Sequence, residues 1–312
     1  MAPLTKVGKG KNMAQSGAAS TGELKFLLFS DIEGRHDLVQ KIVDADLSAY
    51  DCVVYKGDTP DATVYKQIRK TRSLGGEAWD KRTSTSILSD HEEALAAMRK
   101  AVDDSAKVNA QFAQIAKKLP FFGVLGNSDT VPTKIAPRLG MEPVNFEENM
   151  TTLHNKVIEF KGFQLIGYQG RVKYRDENIV EAPELMFDEN VAAADLDALF
   201  AKVDPDRTIF VTHVPPHGIL DKVNPEWVEY GVATYGEKAK NGNIGSTAFK
   251  TIVEKHQPLL HTYGHIHERP GVEKHGKTTF FNGGAFGETE EAEVVTIKGR
   301  DVTCRWINLK DL

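Results

Sequence analysis

The 312-residue sequence predicts an α/β fold with a mixed sheet system. Three observations carry that expectation: short, almost wholly apolar runs ending in Gly- and Asp-containing loops, amphipathic helical stretches between them, and closely spaced strand-like segments in the second half. With 40% hydrophobic and 27% charged residues the chain can bury its own core. No Pro/Gly/Ser-rich linker divides it, so residues 23–312 are expected to form one domain.

The first 22 residues are rich in Gly, Ser, Ala and Lys, have no apolar run suited to a signal peptide or a membrane span, and read as a disordered tail. Leu24 to Phe29 reads as a buried strand that runs into Ser30, Asp31 and Gly34, after which Leu38, Val39 and Ile42 mark the inner face of a helix. Cys52 to Tyr55 is the second strand, followed by a helical insertion over residues 61–119. The later part of the insertion opens on a capping-box pattern at Ser89 and Glu92. It then carries Leu95, Met98, Val102, Phe112 and Ile115, and stops near Pro120. Its earlier part, Val64 to Arg82, sets Lys66, Arg69, Lys70, Arg72, Lys81 and Arg82 against Glu77 and Asp80. That balance suits a solvated helix face, or a cluster that draws phosphates in. Phe121 to Leu125 completes a β-α-β-α-β series.

Beyond Gly140, strands at Lys156 to Phe160 and Phe163 to Gly167 fit an antiparallel hairpin. A helix around Val191 to Val203, a strand at Thr208 to Thr212, a helix from Ser246 to Lys255 and a strand at Leu259 to Tyr263 restore the α/β alternation. Strands Val294 to Ile297 and Val302 to Ile307 close the chain.

The formal net charge of −5 and the pI near 6.1 disfavour a nucleic-acid backbone as the main partner and leave small phosphorylated substrates open. Cys52 and Cys304 lie far apart in apolar runs, which suits buried free thiols in a reducing compartment. The cytoplasm is therefore the expected location. Oligomeric state is not legible.

Five polar clusters each follow an apolar strand: Asp31-Ile32-Glu33-Gly34, Gly57-Asp58-Thr59-Pro60-Asp61, Gly126-Asn127-Ser128-Asp129, His213, and Gly264-His265-Ile266-His267. Strand carboxyl ends in open α/β sheets converge on one crevice. Asp31, Glu33 and Asp58 supply carboxylates, Asn127 an amide oxygen, and His213, His265 and His267 imidazoles. This mixed O/N set suits Mn, Fe, Zn or Mg rather than a thiolate-bound structural zinc. Seven ligands exceed one open tetrahedral site, whereas two metals about 3.5–4 Å apart with a shared carboxylate use them all. A lone His or Asp at a strand end is more often a hydrogen-bonded structural residue, so the joint order carries the reading.

That order resembles the calcineurin-like metallophosphoesterases, whose pattern is D-x-H, GD-x-x-D, GN-[H/C/N]-[D/E], a lone His, then GH-x-H, over about Leu24 to Gly284. A second set of residues resembles the Icc-related branch: Thr212-His213-Val214-Pro215-Pro216-His217-Gly218, Leu220-Asp221, Ile244-Gly245-Ser246, Gln257-Pro258-Leu259-Leu260 and Gly264 to Glu268. The resemblance implies a four-layer α/β/β/α sandwich of two mixed sheets flanked by helices, with metals where the strand ends meet. It implies one metal on Asp31, Glu33, Asp58 and His267 and another on Asp58, Asn127, His213 and His265, so that Asp58 bridges. It further implies that Asp61 and Asp129 orient loops, and that Asn282, Gly283 and Gly284 match the closing turn of the family. Asp58, Asn127, Asp129 and His217 are the candidate catalytic residues. His217 either reaches the phosphate or is held by backbone.

Two positions depart from the family pattern: Glu33 stands where it has His, and Ser128 where many members have a histidine that contacts the leaving group. His36 reads as a helix residue rather than a substitute ligand, and Arg35 and Arg171 read as surface arginines ahead of phosphate clamps. The implied activity is metal-dependent hydrolysis of a phosphodiester or phosphomonoester by a metal-bridging hydroxide. The alternative is a noncatalytic binding scaffold on the same fold. An added carboxylate at Glu33 favours harder cations, Mn first, with Fe, Mg and Zn open. Glu33→His is therefore expected to move metal preference from Mn toward Zn, read from activity and metal content after reconstitution with each ion. An unchanged preference would remove Glu33 from the ligand set.

Overall fold

The computed structural model describes residues 22–61, 92–173 and 184–312. The expected tail, apart from Gly22, lies outside the described residues, as do the basic stretch Val64 to Arg82 and the capping position Ser89.

Two six-stranded sheets face each other. The first runs β14 (Asp301–Asn308), β13 (Glu291–Lys298), β1 (Glu23–Phe29), β2 (Cys52–Tyr55), β3 (Phe121–Gly123), β4 (Thr151–Thr152). The second runs β11 (Gly271–His275), β12 (Thr278–Asn282), β10 (Leu260–Tyr263), β9 (Thr208–Thr212), β6 (Phe163–Tyr168), β5 (Val157–Phe160). A two-stranded parallel pair, β7 (Arg171–Val172) and β8 (Met186–Phe187), stands apart. The helices are α1 (His36–Asp44), α2 (Glu92–Lys118), α3 (Thr130–Ile135), α4 (Glu189–Phe200), α5 (Pro225–Tyr235), α6 (Thr247–His256) and α7 (Phe286–Thr289).

The alternation of side chains along each strand sorts them into layers. Leu24, Phe26 and Leu28 of β1 join Val54, Phe122, Leu165, Ile209, Leu260 and Phe281 in the core between the sheets. Leu27 and Phe29 point the other way, onto Leu38 and Ile42 of α1 and Val102, Phe112 and Ile115 of α2. On the far side Ile166 and Phe210 meet Leu196 and Phe200 of α4 and Phe249 and Ile252 of α6. The result is four layers, α/β/β/α. Strands covered on both faces have no polar side to present, which is why β2 and the second half of β1, Phe26 to Phe29, read as continuous apolar runs.

Local chemistry sets the element ends. Ser246 caps α6 by accepting from the Phe249 amide at 3.1 Å, and Gln257 ends it in the left-handed region at φ 52°. The β5–β6 hairpin turns on Lys161 and Gly162, both at positive φ, the geometry that matches strand twist in a tight turn. Several elements were not anticipated, among them β4, α3 and α7. The β11–β12 hairpin is another: β11 is an edge strand of sequence GVEKH, whose Glu, Lys and His side chains mask its strand pattern. Helix α5 and the β7–β8 pair are others. No helix among the described residues is long and apolar enough to cross a membrane.

Parallel pairing fixes where function can sit. β1, β2 and β3 run parallel in the first sheet, and β6, β9, β10 and β12 run parallel in the second, so within each sheet their carboxyl ends share one edge. Strand β13 lies antiparallel beside β1, with Glu293 opposite Leu28.

Candidate metal centre

The loops at that edge are laced backbone to backbone. Asp31 N–H donates to Gly57 O at 2.7 Å, Ile32 N–H to Asp58 O at 2.7 Å and Gly264 N–H to His213 O at 3.0 Å. Asp31, Glu33, Asp58 and His265 all occupy the left-handed region, at φ 54°, 50°, 62° and 66°. Such backbone costs a side-chain-bearing residue about 1–2 kcal/mol and persists where its surroundings over-determine it. Two glycines make the approach feasible. A Cβ on Gly126 would overlap the Asp58 carboxylate, and one on Gly264 would overlap the carboxylate of Asp31 and the hydroxyl of Ser30.

His213, fully buried, donates Nδ1–H to the Lys56 carbonyl at 2.8 Å, which turns Nε2 inward. Nε2 stands 3.4 Å from Asp58 Oδ2, 3.2 Å from Asn127 Oδ1 and 3.1 Å from His265 Nδ1. Asn127 presents its oxygen because its Nδ2 donates to Glu184 Oε1 and Ser128 Oγ, both at 3.1 Å. Glu184 is in turn held by Arg171 through Nε at 3.1 Å and through Nη2. Four lone-pair atoms therefore converge. Ligand atoms about 2.1 Å from one metal and at right angles lie about 3 Å apart, so a single divalent cation fits between these groups.

Without a cation, a proton must mediate. Burial opposes charge on His213, but the charge and hydrogen bond of Asp58, with Asp31 behind, outweigh it and raise the pKa to about 9. Burial first, then the charge of His213, push His265 well below the ordinary imidazole range.

A second group adjoins the first. His267 Nε2 lies 3.3 Å from Asp31 Oδ1 and 3.9 Å from Glu33 Oε1, while its Nδ1 donates to Glu288 Oε1 at 2.8 Å. Burial of Asp31 works against its charge, yet the hydrogen bond and charge of His267 and the charge of His213 hold its carboxyl below the usual range. The His265 amide donates to Asp31 Oδ2 at 3.0 Å and so joins the two groups.

Asp129 stands behind these side chains. It accepts from the amides of Gly126 at 2.6 Å, Thr59 at 2.8 Å and Asp58 at 3.0 Å, and from the Tyr55 hydroxyl at 2.8 Å. Burial and then the charge of Asp58 push its pKa up to about 6. Ser128 grips Asp58, its amide donating to Oδ1 at 2.8 Å and its hydroxyl lying 3.2 Å from Oδ2. Asn282 donates to the carbonyls of Ile266 and Arg269 at 2.9 and 3.0 Å and so secures the loop of His267.

Other candidates lie elsewhere. The His217 ring meets the Lys238 carbonyl at 3.3 Å, the backbone-held alternative. Asp61 is exposed, beside Gly34. His36 faces Lys107 and Asp104 of α2, and Arg35 pairs with Asp37 and Glu290. Arg171 is corrected outright: it is buried at 1% exposure, not a surface arginine, because it carries the charge that Glu184 needs in order to be buried. Sequence reasoning also missed Glu184, Glu288 and Lys56. Of these only Lys56 left a signal, a charge set between an apolar strand and Gly57.

A family model described as "Metallophosphoesterase, calcineurin superfamily" matches residues 22–307. The chain belongs to that superfamily. The chain is 33% identical over 91 residues to UPF0046 protein K07C11.7 of Caenorhabditis elegans, a stretch covering 29% of this chain and 26% of that one. It is 37% identical over 75 residues to Metallophosphoesterase domain-containing protein 1 of Homo sapiens, covering 24% of this chain and 19% of that one. The similarity thus spans about a quarter or less of those relatives' length. TT1561 of Thermus thermophilus has the same fold, with a TM-score of 0.51 at 16% identity, covering 92% of this chain and 100% of its own. Another crystal structure reaches a TM-score of 0.61 at 19% identity, covering 91% of this chain and 99% of its own.

The raised pKa of His213 has a signed consequence. Its protonation stabilises the metal-free fold fully below its ordinary value of 6.5, and that stability is lost as pH rises through about 9. A cation must displace this proton, so affinity is expected to weaken and proton release to grow as pH falls below about 9. Calorimetric titration with Mn2+ in buffers of different ionisation enthalpy measures both. Proton release that stays at zero throughout would contradict the assignment.

Proposed function

We propose that this metallophosphoesterase is a binuclear-metal phosphoric ester hydrolase acting on a phosphodiester or phosphomonoester bond of a small phosphorylated substrate. The observation that carries the reading is the convergence of Asp58 Oδ2, Asn127 Oδ1 and His265 Nδ1 around His213 Nε2, at 3.4, 3.2 and 3.1 Å. Asp31, Glu33 and His267 form the adjoining set, and Asp58 serves both, facing His213 while its charge acts on Asp31. Divalent metals, Mn ahead of Fe, Mg or Zn, would be held by these two sets, and when bound they supply a Lewis acid for phosphoryl oxygens and acidify water.

The chain's own part is to hold the donors ready. Ser128 aims Asp58, the Lys56 carbonyl aims His213, Glu288 aims His267, and Glu184 with Arg171 aims Asn127. Donors already in place need no reorganisation as charge develops. None of these groups is a ready proton donor to a departing oxygen. The Ser128 hydroxyl is engaged by Asp58 and Asn127, and the His217 ring is engaged by backbone. Free thiols at Cys52 and Cys304 support a reducing compartment, the cytoplasm in this reading.

Metal analysis of the purified protein, alongside hydrolysis of a chromogenic diester and monoester, tests the reading. Two equivalents of metal and turnover abolished by Asp58→Asn are expected. Protein that takes up no metal under any loading condition and leaves both esters intact would favour the noncatalytic scaffold. A well-placed general acid contributes about 10²–10⁴ in rate, so without one the rate should fall steeply as leaving-group pKa rises from acidic phenols to alkyl alcohols. A flat dependence, with chemistry rate-limiting, would point to a proton donor not identified among these residues.

A further inference from the structure

Lys56 has no exposed surface, and its ammonium spends all three of its donors. Nζ donates to the Tyr263 carbonyl at 2.7 Å and to Glu293 Oε1 and Oε2 at 2.8 and 2.6 Å. The partners belong to different layers. Glu293 lies in β13 of the first sheet, and Tyr263 is the last residue of β10 in the second.

The position of Lys56 in the chain gives this contact its consequence. Lys56 stands two residues before Asp58, and Tyr263 stands two before His265. The Lys56 amide donates to Phe29 O at 3.0 Å, at the end of the strand that leads to Asp31, and its carbonyl receives His213 Nδ1–H. One residue is therefore bonded into the segments that carry Asp31, Asp58, His213 and His265. Gly283 leaves the space: a Cβ there would overlap the Glu293 carboxylate.

A buried ion pair is weak evidence of stability, because desolvation offsets much of its attraction and apolar pairs of equal volume often serve a fold as well. An apolar pair cannot hold the Tyr263 carbonyl at a set distance. We propose that Lys56, anchored by Glu293, is a positioning residue. It ties the first sheet to the second at the level of the ligands and so fixes the spacing of Asp58 against His213 and His265. The inference rests on the reading of that group as a metal centre.

The test pairs two measurements on the full chain, Mn2+ affinity by calorimetry and the visible spectrum of the Co2+-loaded protein, which reports ligand geometry. Lys56→Met with Glu293→Gln removes both charges at nearly constant volume. The folded variant should bind Mn2+ about 10- to 100-fold more weakly and shift the Co2+ bands, whatever its unfolding temperature. Glu293→Asp keeps both charges and shortens the tie by one carbon, so it serves if the double variant does not fold. The same losses are expected from it. Wild-type affinity and an unshifted spectrum in a folded variant would overturn the positioning role. Wild-type protein that binds neither ion would instead overturn the metal-centre reading itself, so the two failures are distinguishable.

Discussion

A carboxylate as buried as Asp58, at 2% exposure, is stable only where donors or cations surround it, since an isolated charge removed from water costs far more than the whole net stability of a domain. Much of the surrounding structure answers that constraint. The Ser128 amide and hydroxyl take up part of the charge, and His213 faces the rest. Asp31 repeats the problem a few ångströms away, with His267 and the His265 amide as its partners.

The constraint explains why the polar partners come from so many parts of the chain. Each of these side chains needs its second polar atom satisfied, and a buried donor or acceptor left unpaired costs about 1–3 kcal/mol. Glu184, Glu288 and the Lys56 carbonyl meet that need for Asn127, His267 and His213, and each also sets the orientation of that side chain. Glu184 requires Arg171 for the same reason, and the Lys56 ammonium requires Glu293. The bonds that make burial of these polar groups tolerable also fix how the candidate ligands point.

The sandwich makes such an arrangement attainable. Apolar side chains of β1, β2, β9 and β10 fill the space between the sheets. The carboxyl ends of parallel strands then present loops from both sheets along the same margin. Core packing holds the strand ends, and the left-handed backbone at Asp31, Glu33, Asp58 and His265 bends the chain sharply enough to bring side chains together.

How much of this was legible differs by kind of information. Apolar runs and their flanking loops are local patterns, so β1, β2, β9 and α6 could be read within a residue or two, and so could the order of the polar clusters along the chain. The edge strand β11 could not, because its polar residues face solvent and carry no alternation strong enough to mark it. At the site, the residue types at Asp31, Asp58, Asn127, His213, His265 and His267 were enough to suggest a metal centre. Their distances, the amide orientation of Asn127 and the ring orientation of His213 were not legible. Those depend on Glu184, Arg171 and Lys56, which come into contact with the ligand segments only when strands far apart in the chain are laid side by side. Composition and order along the chain determined the fold class and the superfamily. Which side chains aim the ligands was decided by tertiary structure, because a buried polar atom is satisfied by whatever lies nearest in space.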